Sequence, residues 1–283
     1  MSIQKLGVIG VGQMGSGIVQ VAAQAGLTVL ASDKDGSRNE KAKAKIEKGL
    51  SRLVEKGKLS DEDLKATLGR ITWTTSLQDF ADQDLVIEAI TENPQAKEEL
   101  FKQLDEICSE KTVLATNTSS ISVTRLAAVT RRPNKFIGLH FFNPVPVMKL
   151  LEVIKALSTD EATYAVAKEI GEKLNKQIVT AQDSAAFIVN RTLIPFLNEA
   201  AFVLYEGVGT AEDIDQAIKL GLNHPMGPLE LSDFVGLDVV LAVLDVLYRE
   251  FGDVKYRACP LLRKYVEAGW LGRKTGRGFY NYA

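Results

Sequence analysis

Short apolar runs alternate with helix-length amphipathic segments over the first two thirds of the chain. The pattern predicts a buried strand over residues 5–9, a helix over 13–25 and a second strand over 28–32. Later apolar runs bounded by turn residues predict strands at 71–74, 85–89, 113–116, 136–139, 151–154 and 178–179. Such alternation is typical of a doubly wound, mostly parallel sheet, so we expect an α/β fold in this part of the chain.

A long helical segment interrupts the alternation between the second and third predicted strands. It covers residues 37–56, and the sequence Ser60-Asp-Glu-Asp63 that follows resembles a capping box. A capping box marks the start of a helix, so a second helix should begin there. We therefore expect a helical-hairpin insert over about residues 37–69.

Beyond residue 183 the pattern becomes purely helical. Helices are predicted at 187–205, 211–220, 229–234, 237–251 and 261–268, with no convincing strand between them. A chain of 283 residues also lies where single cores usually give way to two domains. We predict an α/β domain over 1–183 and an all-α C-terminal domain over 184–283.

Composition and charge narrow the class of protein. Hydrophobic residues make up 46% of the chain and charged residues 25%, as in ordinary globular proteins. The net charge of −2 argues against a nucleic-acid partner. The sequence has no apolar stretch suited to a membrane span or a signal peptide. Cys108 and Cys259 lack a CxxC partner, so we expect no disulfide and no metal site, and a cytoplasmic location.

The sequence Gly10-Val-Gly-Gln-Met-Gly15 follows a predicted strand and opens a predicted helix. In that setting Gly10 allows a tight turn, Gly12 lets the backbone approach a pyrophosphate, and Gly15 lets the helix pack closely on the sheet. Asp33 ends the second strand, where a carboxylate binds an adenosine ribose and repels a 2′-phosphate. We therefore predict a Rossmann-like domain that binds NAD, with Met14 inside the contacting loop. The alternative is a glycine turn with an incidental aspartate.

The helical insert carries a row of cations. They recur at helical spacing and stack along one face: Lys41, Lys45, Lys48, Arg52 and Lys56. A different stripe, formed by Ala42, Ile46, Leu50 and Leu53, can face the protein. The cationic face predicts either a site for a ligand that carries phosphates or an ordinary solvated surface, and the residues alone favour neither.

His140 and Glu152 form a candidate catalytic pair. His140 is one of two histidines in the chain and follows the predicted strand 136–139, while Glu152 lies within the next one, 151–154. Histidine is the side chain that most readily exchanges a proton near neutral pH. A carboxylate in a buried strand needs a partner, and one beside His140 would fix the imidazole tautomer. The alternative, two unrelated residues, leaves Glu152 unexplained.

Two further polar segments are candidates for ligand contacts. Ser119 and Ser120 follow the strand 113–116, at the edge where open α/β sheets bind ligands, although such residues also cap helices. Asn190 lies on an otherwise apolar helical stretch at the junction of the two predicted domains. It is either a ligand contact or a core asparagine that satisfies backbone groups.

Taken together, these residues resemble the short-chain bacterial (S)-3-hydroxyacyl-CoA dehydrogenase family from end to end. Besides the glycine loop, the motifs that carry the resemblance are Glu88-Ala-Ile-Thr-Glu92, Asn117-Thr-Ser-Ser-Ile121, His140-Phe-Phe-Asn-Pro-Val-Pro146, Phe187-Ile-Val-Asn-Arg191, Leu220-Gly-Leu-Asn-His-Pro-Met-Gly-Pro228 and Gly272-Arg-Lys-Thr-Gly276. The resemblance implies NAD-dependent, reversible oxidation of a 3-hydroxyacyl-CoA, with 3-hydroxybutyryl-CoA as substrate.

The resemblance also assigns roles to residues. It implies that His140 and Glu152 are the catalytic dyad, and that Ser119 and Asn190 hold the C3 oxygen of the substrate. The implied cofactor contacts are Asp33, Glu92, Lys97, Ser119, Asn143 and Lys274. It further implies that Lys48, Arg52 and Lys56 face coenzyme A, and that the helical domain contributes to substrate binding and to a homodimer.

The chain departs from the family pattern just before Phe187. Ala185 and Ala186 stand where the family commonly has Pro-Gly, and this change could alter the helix entry that aims Asn190. Two other functions stay open on the residues alone: a related dehydrogenase of a free hydroxy acid or sugar acid, which does not need the basic insert, and a non-catalytic dinucleotide-binding protein.

Overall fold

The computed structural model describes residues 3–282. The chain divides into two compact units, with the division between Ser184 and Ala185. None of the helices within the described residues is long and apolar enough to cross a membrane.

The first unit is built on an eight-stranded sheet. Its strands are β1 (Lys5–Ile9), β2 (Thr28–Ser32), β3 (Ile71–Thr74), β4 (Leu85–Glu88), β5 (Val113–Thr116), β6 (Phe136–Phe141), β7 (Leu150–Lys155) and β8 (Gln177–Gln182). They lie in the order β3-β2-β1-β4-β5-β6-β7-β8. Every neighbouring pair is parallel except β6 and β7, which run antiparallel. The predicted doubly wound, mostly parallel sheet is therefore confirmed.

Within the described residues 3–184, six α-helices belong to this unit. They are α1 (Gln13–Gln24), α2 (Gly36–Glu55), α3 (Asp61–Gly69), α4 (Pro94–Ile107), α5 (Val123–Ala127) and α6 (Glu161–Lys173). Helices α2 and α3 form the predicted hairpin, and the Ser60 hydroxyl caps α3 by accepting the Asp63 N–H at 3.0 Å. Ala42, Ile46 and Leu50 of α2 are buried in the main core, so the apolar stripe faces the protein as expected.

The second unit is helical. It contains α7 (Val189–Tyr205), α8 (Ala211–Gly221), α9 (Pro228–Val235), α10 (Leu237–Phe251) and α11 (Pro260–Glu267). Its core includes Leu197, Leu244 and Leu247. Described residues 185–282 form no strand, only isolated bridges in the tail. Asp233 holds that tail by accepting the backbone N–H groups of Phe279 and Tyr280, each at 2.9 Å.

Candidate active site

The carboxyl ends of the parallel strands collect most of the predicted site residues of the first unit. The glycine loop follows β1, Asp33 follows β2, and Ser119 lies shortly after β5. Parallel pairing of β1 with β2 and β4, and of β4 with β5, brings these ends to one edge of the sheet. Ligands of open α/β sheets bind at this edge.

The glycine loop has the geometry of a phosphate-binding turn. Gly10 has φ of +89°, a conformation that favours glycine. A Cβ atom on Gly15 would lie 1.7 Å from the Gly10 carbonyl oxygen, so only glycine allows α1 to pack here. A Cβ atom on Gly12 would meet nothing within 4 Å, which leaves open space at the N-terminus of α1. Amide groups at a helix N-terminus attract phosphates, so a pyrophosphate fits this place. Met14 is partly buried and packs against the main core.

Asp33 lies beside this loop and is buried, with 6% of its surface exposed. Its carboxylate accepts the Val11 N–H at 3.4 Å and the Asp35 N–H at 3.2 Å. The Arg38 guanidinium lies 4.0 Å away. These contacts fix the carboxylate at the end of β2, where a ribose would bind.

His140 and Glu152 face each other across two strands. They are direct partners in the antiparallel β6–β7 register, and His140 Nδ1 lies 2.7 Å from Glu152 Oε2. The glutamate is fully buried and the histidine is 5% exposed. The Phe142 ring lies 4.6 Å from the imidazole, centroid to centroid. The sequence pattern ended the strand at residue 139, but β6 continues to Phe141, so His140 belongs to the sheet.

Asn117 supports this pair, and the sequence reasoning did not single it out for that role. Its Oδ1 accepts the backbone N–H of Phe141 at 3.0 Å, next to His140. The available signal was its position directly after β5, beside the strand that carries the histidine. Asn143, two residues beyond Phe141, is exposed.

Glu92, Lys97 and Ser119 lie together. The Glu92 carboxylate accepts the Ser119 N–H at 2.9 Å and lies 3.3 Å from Lys97 Nζ. Lys97 is 1% exposed and donates to Glu88 Oε1 at 2.5 Å. Glu88 is a fully buried carboxylate that the sequence reasoning did not assign a role. Helix α5 is capped by Ser122, which accepts the Arg125 N–H, so the capping alternative for Ser119 and Ser120 is not observed.

The five cations of the predicted row on the insert are exposed. They are Lys41, Lys45, Lys48 and Arg52 on α2 and Lys56 at its C-terminal cap. Lys45 also donates to the Ser16 hydroxyl of α1 at 3.3 Å. The exposed row presents ammonium and guanidinium groups that suit phosphates. No group of three or more metal-ligating side chains occurs within residues 3–282.

The remaining predicted residues belong to the second unit. Asn190 lies in the first turn of α7 and is half-buried. Lys274 lies in a short 3₁₀ turn, where its Nζ is 2.6 Å from Asp238 Oδ2. Helix α7 begins at Val189, two residues later than predicted, because Ala186 and Phe187 have φ of +63° and +53°. Such left-handed residues cannot continue a right-handed helix, and the position of Ala186 is one that glycine favours.

Comparisons with known proteins agree across both units. Residues 5–184 match the family model described as "3-hydroxyacyl-CoA dehydrogenase, NAD binding domain", and residues 187–282 match the one described as "3-hydroxyacyl-CoA dehydrogenase, C-terminal domain". The chain is 51% identical over 282 residues to a probable 3-hydroxybutyryl-CoA dehydrogenase of Bacillus subtilis. That alignment covers 100% of this chain and 98% of the Bacillus protein. It is 52% identical over 280 residues to a 3-hydroxybutyryl-CoA dehydrogenase of Bradyrhizobium diazoefficiens, in an alignment that covers 99% of this chain and 96% of that protein.

A solved structure gives the same result in three dimensions. The crystal structure of (S)-3-hydroxybutyryl-CoA dehydrogenase from Ralstonia eutropha superposes with a TM-score of 0.98 at 49% sequence identity, and the match covers 100% of both chains. Both family models and these relatives span the described residues almost completely. The chain therefore belongs to the 3-hydroxyacyl-CoA dehydrogenase family.

Proposed function

We propose that this protein catalyses the NAD-dependent, reversible oxidation of (S)-3-hydroxybutyryl-CoA to acetoacetyl-CoA. Family membership supports the reaction class and the cofactor. The observation that carries the chemistry is the buried contact of 2.7 Å between His140 Nδ1 and Glu152 Oε2. A histidine oriented by a carboxylate is a general acid and base, as proton transfer at a hydroxyl group requires.

In the oxidation direction, His140 takes the proton from the C3 hydroxyl group of the substrate. Bound NAD⁺ supplies the acceptor for the hydride from C3. Glu152 stabilises the imidazolium that forms, because its carboxylate is held at hydrogen-bond distance and shielded from water. In the reduction direction the same imidazolium returns the proton to the oxygen.

Ser119 and Asn190 would hold the C3 oxygen. Support for Ser119 comes from its place after β5, at the ligand-binding edge of the sheet. Support for Asn190 comes from its half-buried position in the first turn of α7. Both side chains can donate a hydrogen bond to an oxygen that gains negative charge.

Residues 1–183 would bind the cofactor. The space beside Gly12 and the N-terminus of α1 suit the pyrophosphate, and Asp33 suits the adenosine ribose. Met14, Glu92, Lys97 and Asn143 would complete the contacts within this domain. In this proposal residues 184–283 form the substrate and dimerisation domain, and its Lys274 also contacts the cofactor.

Coenzyme A would bind along the basic face of the hairpin insert, about residues 37–69. Coenzyme A carries a pyrophosphate and a 3′-phosphate, and Lys48, Arg52 and Lys56 offer three exposed cations in a row. A dehydrogenase that acts on a free hydroxy acid does not need this surface. The row therefore favours the acyl-CoA substrate over that alternative.

A homodimer formed through the second unit completes the proposal. This unit exposes large apolar side chains, among them Val208, Leu220 and Phe234, which are 73%, 75% and 55% exposed. A surface on which such side chains lie together would suit association with a second copy. We also propose a cytoplasmic location, because Cys108 and Cys259 are both free and buried, as in proteins of reducing compartments.

The test is NADH oxidation with acetoacetyl-CoA, run in parallel with free acetoacetate and with NADPH in place of NADH. We expect turnover only with the thioester, and much faster turnover with NADH than with NADPH. His140→Gln should suppress turnover and leave the NADH dissociation constant nearly unchanged. Equal rates on free acetoacetate would favour the hydroxy-acid dehydrogenase, and tight NADH binding without any turnover would favour a non-catalytic protein.

A further inference from the structure

A buried charge network lies behind Ser119. Lys97 of α4 is 1% exposed, and its Nζ is 2.5 Å from Glu88 Oε1 and 3.3 Å from Glu92 Oε2. An ammonium group taken out of water is costly unless carboxylates compensate its charge. The buried ammonium group of Lys97 is therefore stable only while carboxylates stay beside it.

Glu88 is the fixed end of the network. It is the last residue of β4, between Ile9 of β1 and Thr116 of β5 in the sheet. Besides Lys97, its carboxylate accepts the Ile90 N–H and the Thr116 hydroxyl, each at 2.7 Å. Both carboxylate oxygens are thus bound to groups of the sheet or of the segment that leaves it. The sheet and the segment after β4 therefore hold the Glu88 carboxylate in place.

Glu92 is the end that reaches the ligand-binding edge. Its side chain is 39% exposed. One oxygen accepts the Thr118 hydroxyl at 2.5 Å, the Ser119 N–H at 2.9 Å and the Ser120 hydroxyl at 3.1 Å, while the other oxygen lies nearest Lys97. The turn that carries Ser119 is therefore fastened to Glu92, and Glu92 is paired with Lys97.

We propose that Glu88 and Lys97 are positioning residues: the buried pair holds Glu92 ionised and oriented, and Glu92 in turn fixes the Ser119 turn for cofactor and substrate. This inference rests on the proposed function, because that proposal assigns Ser119 and Glu92 to the ligands. Lys97 itself then acts through Glu92 and not only by touching the cofactor.

The hold of Glu92 on the Ser119 turn depends on its carboxyl group being ionised. An ionised carboxylate only accepts hydrogen bonds, whereas a protonated one would use an oxygen as a donor and lose part of its hold on the turn. Burial alone would raise the pKa of Glu92, but the charge of Lys97 and hydrogen bonds from Thr118 and Ser119 hold that pKa below its usual value. Removing the ammonium group leaves burial opposed only by the hydrogen bonds. The carboxyl group would then take up a proton at a higher pH.

The experiment removes the Glu88–Lys97 pair so that neither of these two residues is left as an unpaired buried charge. Lys97→Met alone would strand Glu88, so the informative variant is the double one, Glu88→Gln with Lys97→Met, which replaces the ion pair with neutral groups of similar size. Lys102→Met, an exposed lysine of the same helix, is the matched control. Thermal unfolding, the NADH dissociation constant and the kcat of acetoacetyl-CoA reduction are measured for each from pH 5 to pH 9.

We expect the double variant to fold, with an unfolding temperature close to that of the wild type. Its kcat should fall furthest below that of the wild type at pH 5, and the deficit should shrink as the pH rises. The acid-side midpoint of NADH binding should move up by about one pH unit or more, whereas the control should match the wild type in both profiles. A folded double variant with wild-type pH profiles would overturn the proposal. A wild type that binds NADH but does not reduce acetoacetyl-CoA would remove the proposed function, and the NADH-binding profile would still decide the role of the pair.

Discussion

Replacing Glu152 with glutamine would remove one charge from a buried contact and leave its shape almost unchanged. The carboxylate lies 2.7 Å from His140 Nδ1 and is shielded from water. In the proposed mechanism the imidazole becomes positively charged as it takes the substrate proton. The variant therefore tests how much the transition state depends on the facing negative charge.

The separation sets the size of the effect. Two unit charges 2.7 Å apart attract by about 6 kcal/mol at an effective dielectric constant of about 20, which corresponds to roughly 10⁴-fold in rate and is the upper limit. A charge-assisted hydrogen bond exceeds a neutral one by about 1 kcal/mol, or roughly fivefold, which is the lower limit. Because the pair is buried, we expect kcat to fall by about 10²- to 10⁴-fold.

The assay is kcat for acetoacetyl-CoA reduction, with NADH affinity and thermal unfolding measured on the same samples. Glu161→Gln is the matched control, because it makes the same change at a side chain that is 81% exposed and pairs with Lys155 on the surface. The control should keep kcat within about twofold, since exposed ion pairs contribute little. A folded Glu152→Gln variant with kcat within threefold of the wild type would refute the role of the charge.

Three further changes test the cofactor loop, the basic face and the acid stability. Gly15→Ala should destabilise the fold by about 1–3 kcal/mol, because the added methyl group clashes with the Gly10 carbonyl oxygen, and it should also weaken NADH binding. In Gly12→Ala the methyl group points into open space, so this variant should weaken NADH binding at unchanged thermal stability. Equal thermal stability of the two variants would contradict the packing argument. Lys56→Glu should raise the KM for acetoacetyl-CoA by roughly tenfold and have little effect on the KM for NADH, because it removes a screened attraction and adds a repulsion, and each of these contributes up to about 1 kcal/mol. The control is Lys111→Glu, the same change at an exposed lysine just before β5. Equal effects of Lys56→Glu on both KM values would argue against a coenzyme A site. Burial alone would raise the pKa of Asp105, but hydrogen bonds and charges from two neighbouring arginines hold that pKa below its usual value of 3.8. The ionised Asp105 therefore stabilises the fold at pH values above 3.8, and this stabilisation is lost as the pH falls through the lowered pKa. Urea unfolding of Asp105→Asn should accordingly show lower stability at pH 7 and a smaller loss between about pH 5 and pH 3 than the wild type; parallel curves would be the contrary result.

The sheet could be predicted from the sequence because most of its strands are buried. Apolar runs between turn residues marked β1, β2, β3 and β5 to the residue. The pattern failed at the end of β6, where it stopped the strand before His140, whereas Glu152 lay inside the predicted strand 151–154. Backbone pairing continues through His140, which lies opposite Glu152 and is in hydrogen-bond contact with it across the strands. Strand β8 was predicted over two residues and has six, since it is an edge strand with mostly exposed positions.

The candidate site was only partly predictable for a similar reason. Spacing and strand order place Gly10 and Asp33 near each other, because both follow adjacent parallel strands. The pairing of Glu88 with Lys97 depends on how α4 packs against the sheet. The pattern of apolar and polar residues does not predict this packing. The signal that was available is a charged residue at the end of the apolar run in β4. A carboxylate in that position needs a partner, and the nearby helix supplies it.

The antiparallel step from β6 to β7 has a consequence for how the enzyme would lose activity on warming. Both strands are interior strands of the sheet, so β6 is also paired with β5 and β7 with β8. The distance between His140 and Glu152 is therefore protected until the sheet itself opens. The Ser119 turn lies outside the strands and is held by side-chain contacts with Glu92. Inactivation at temperatures below global unfolding should accordingly begin in this turn, while the proton-transfer pair is still intact.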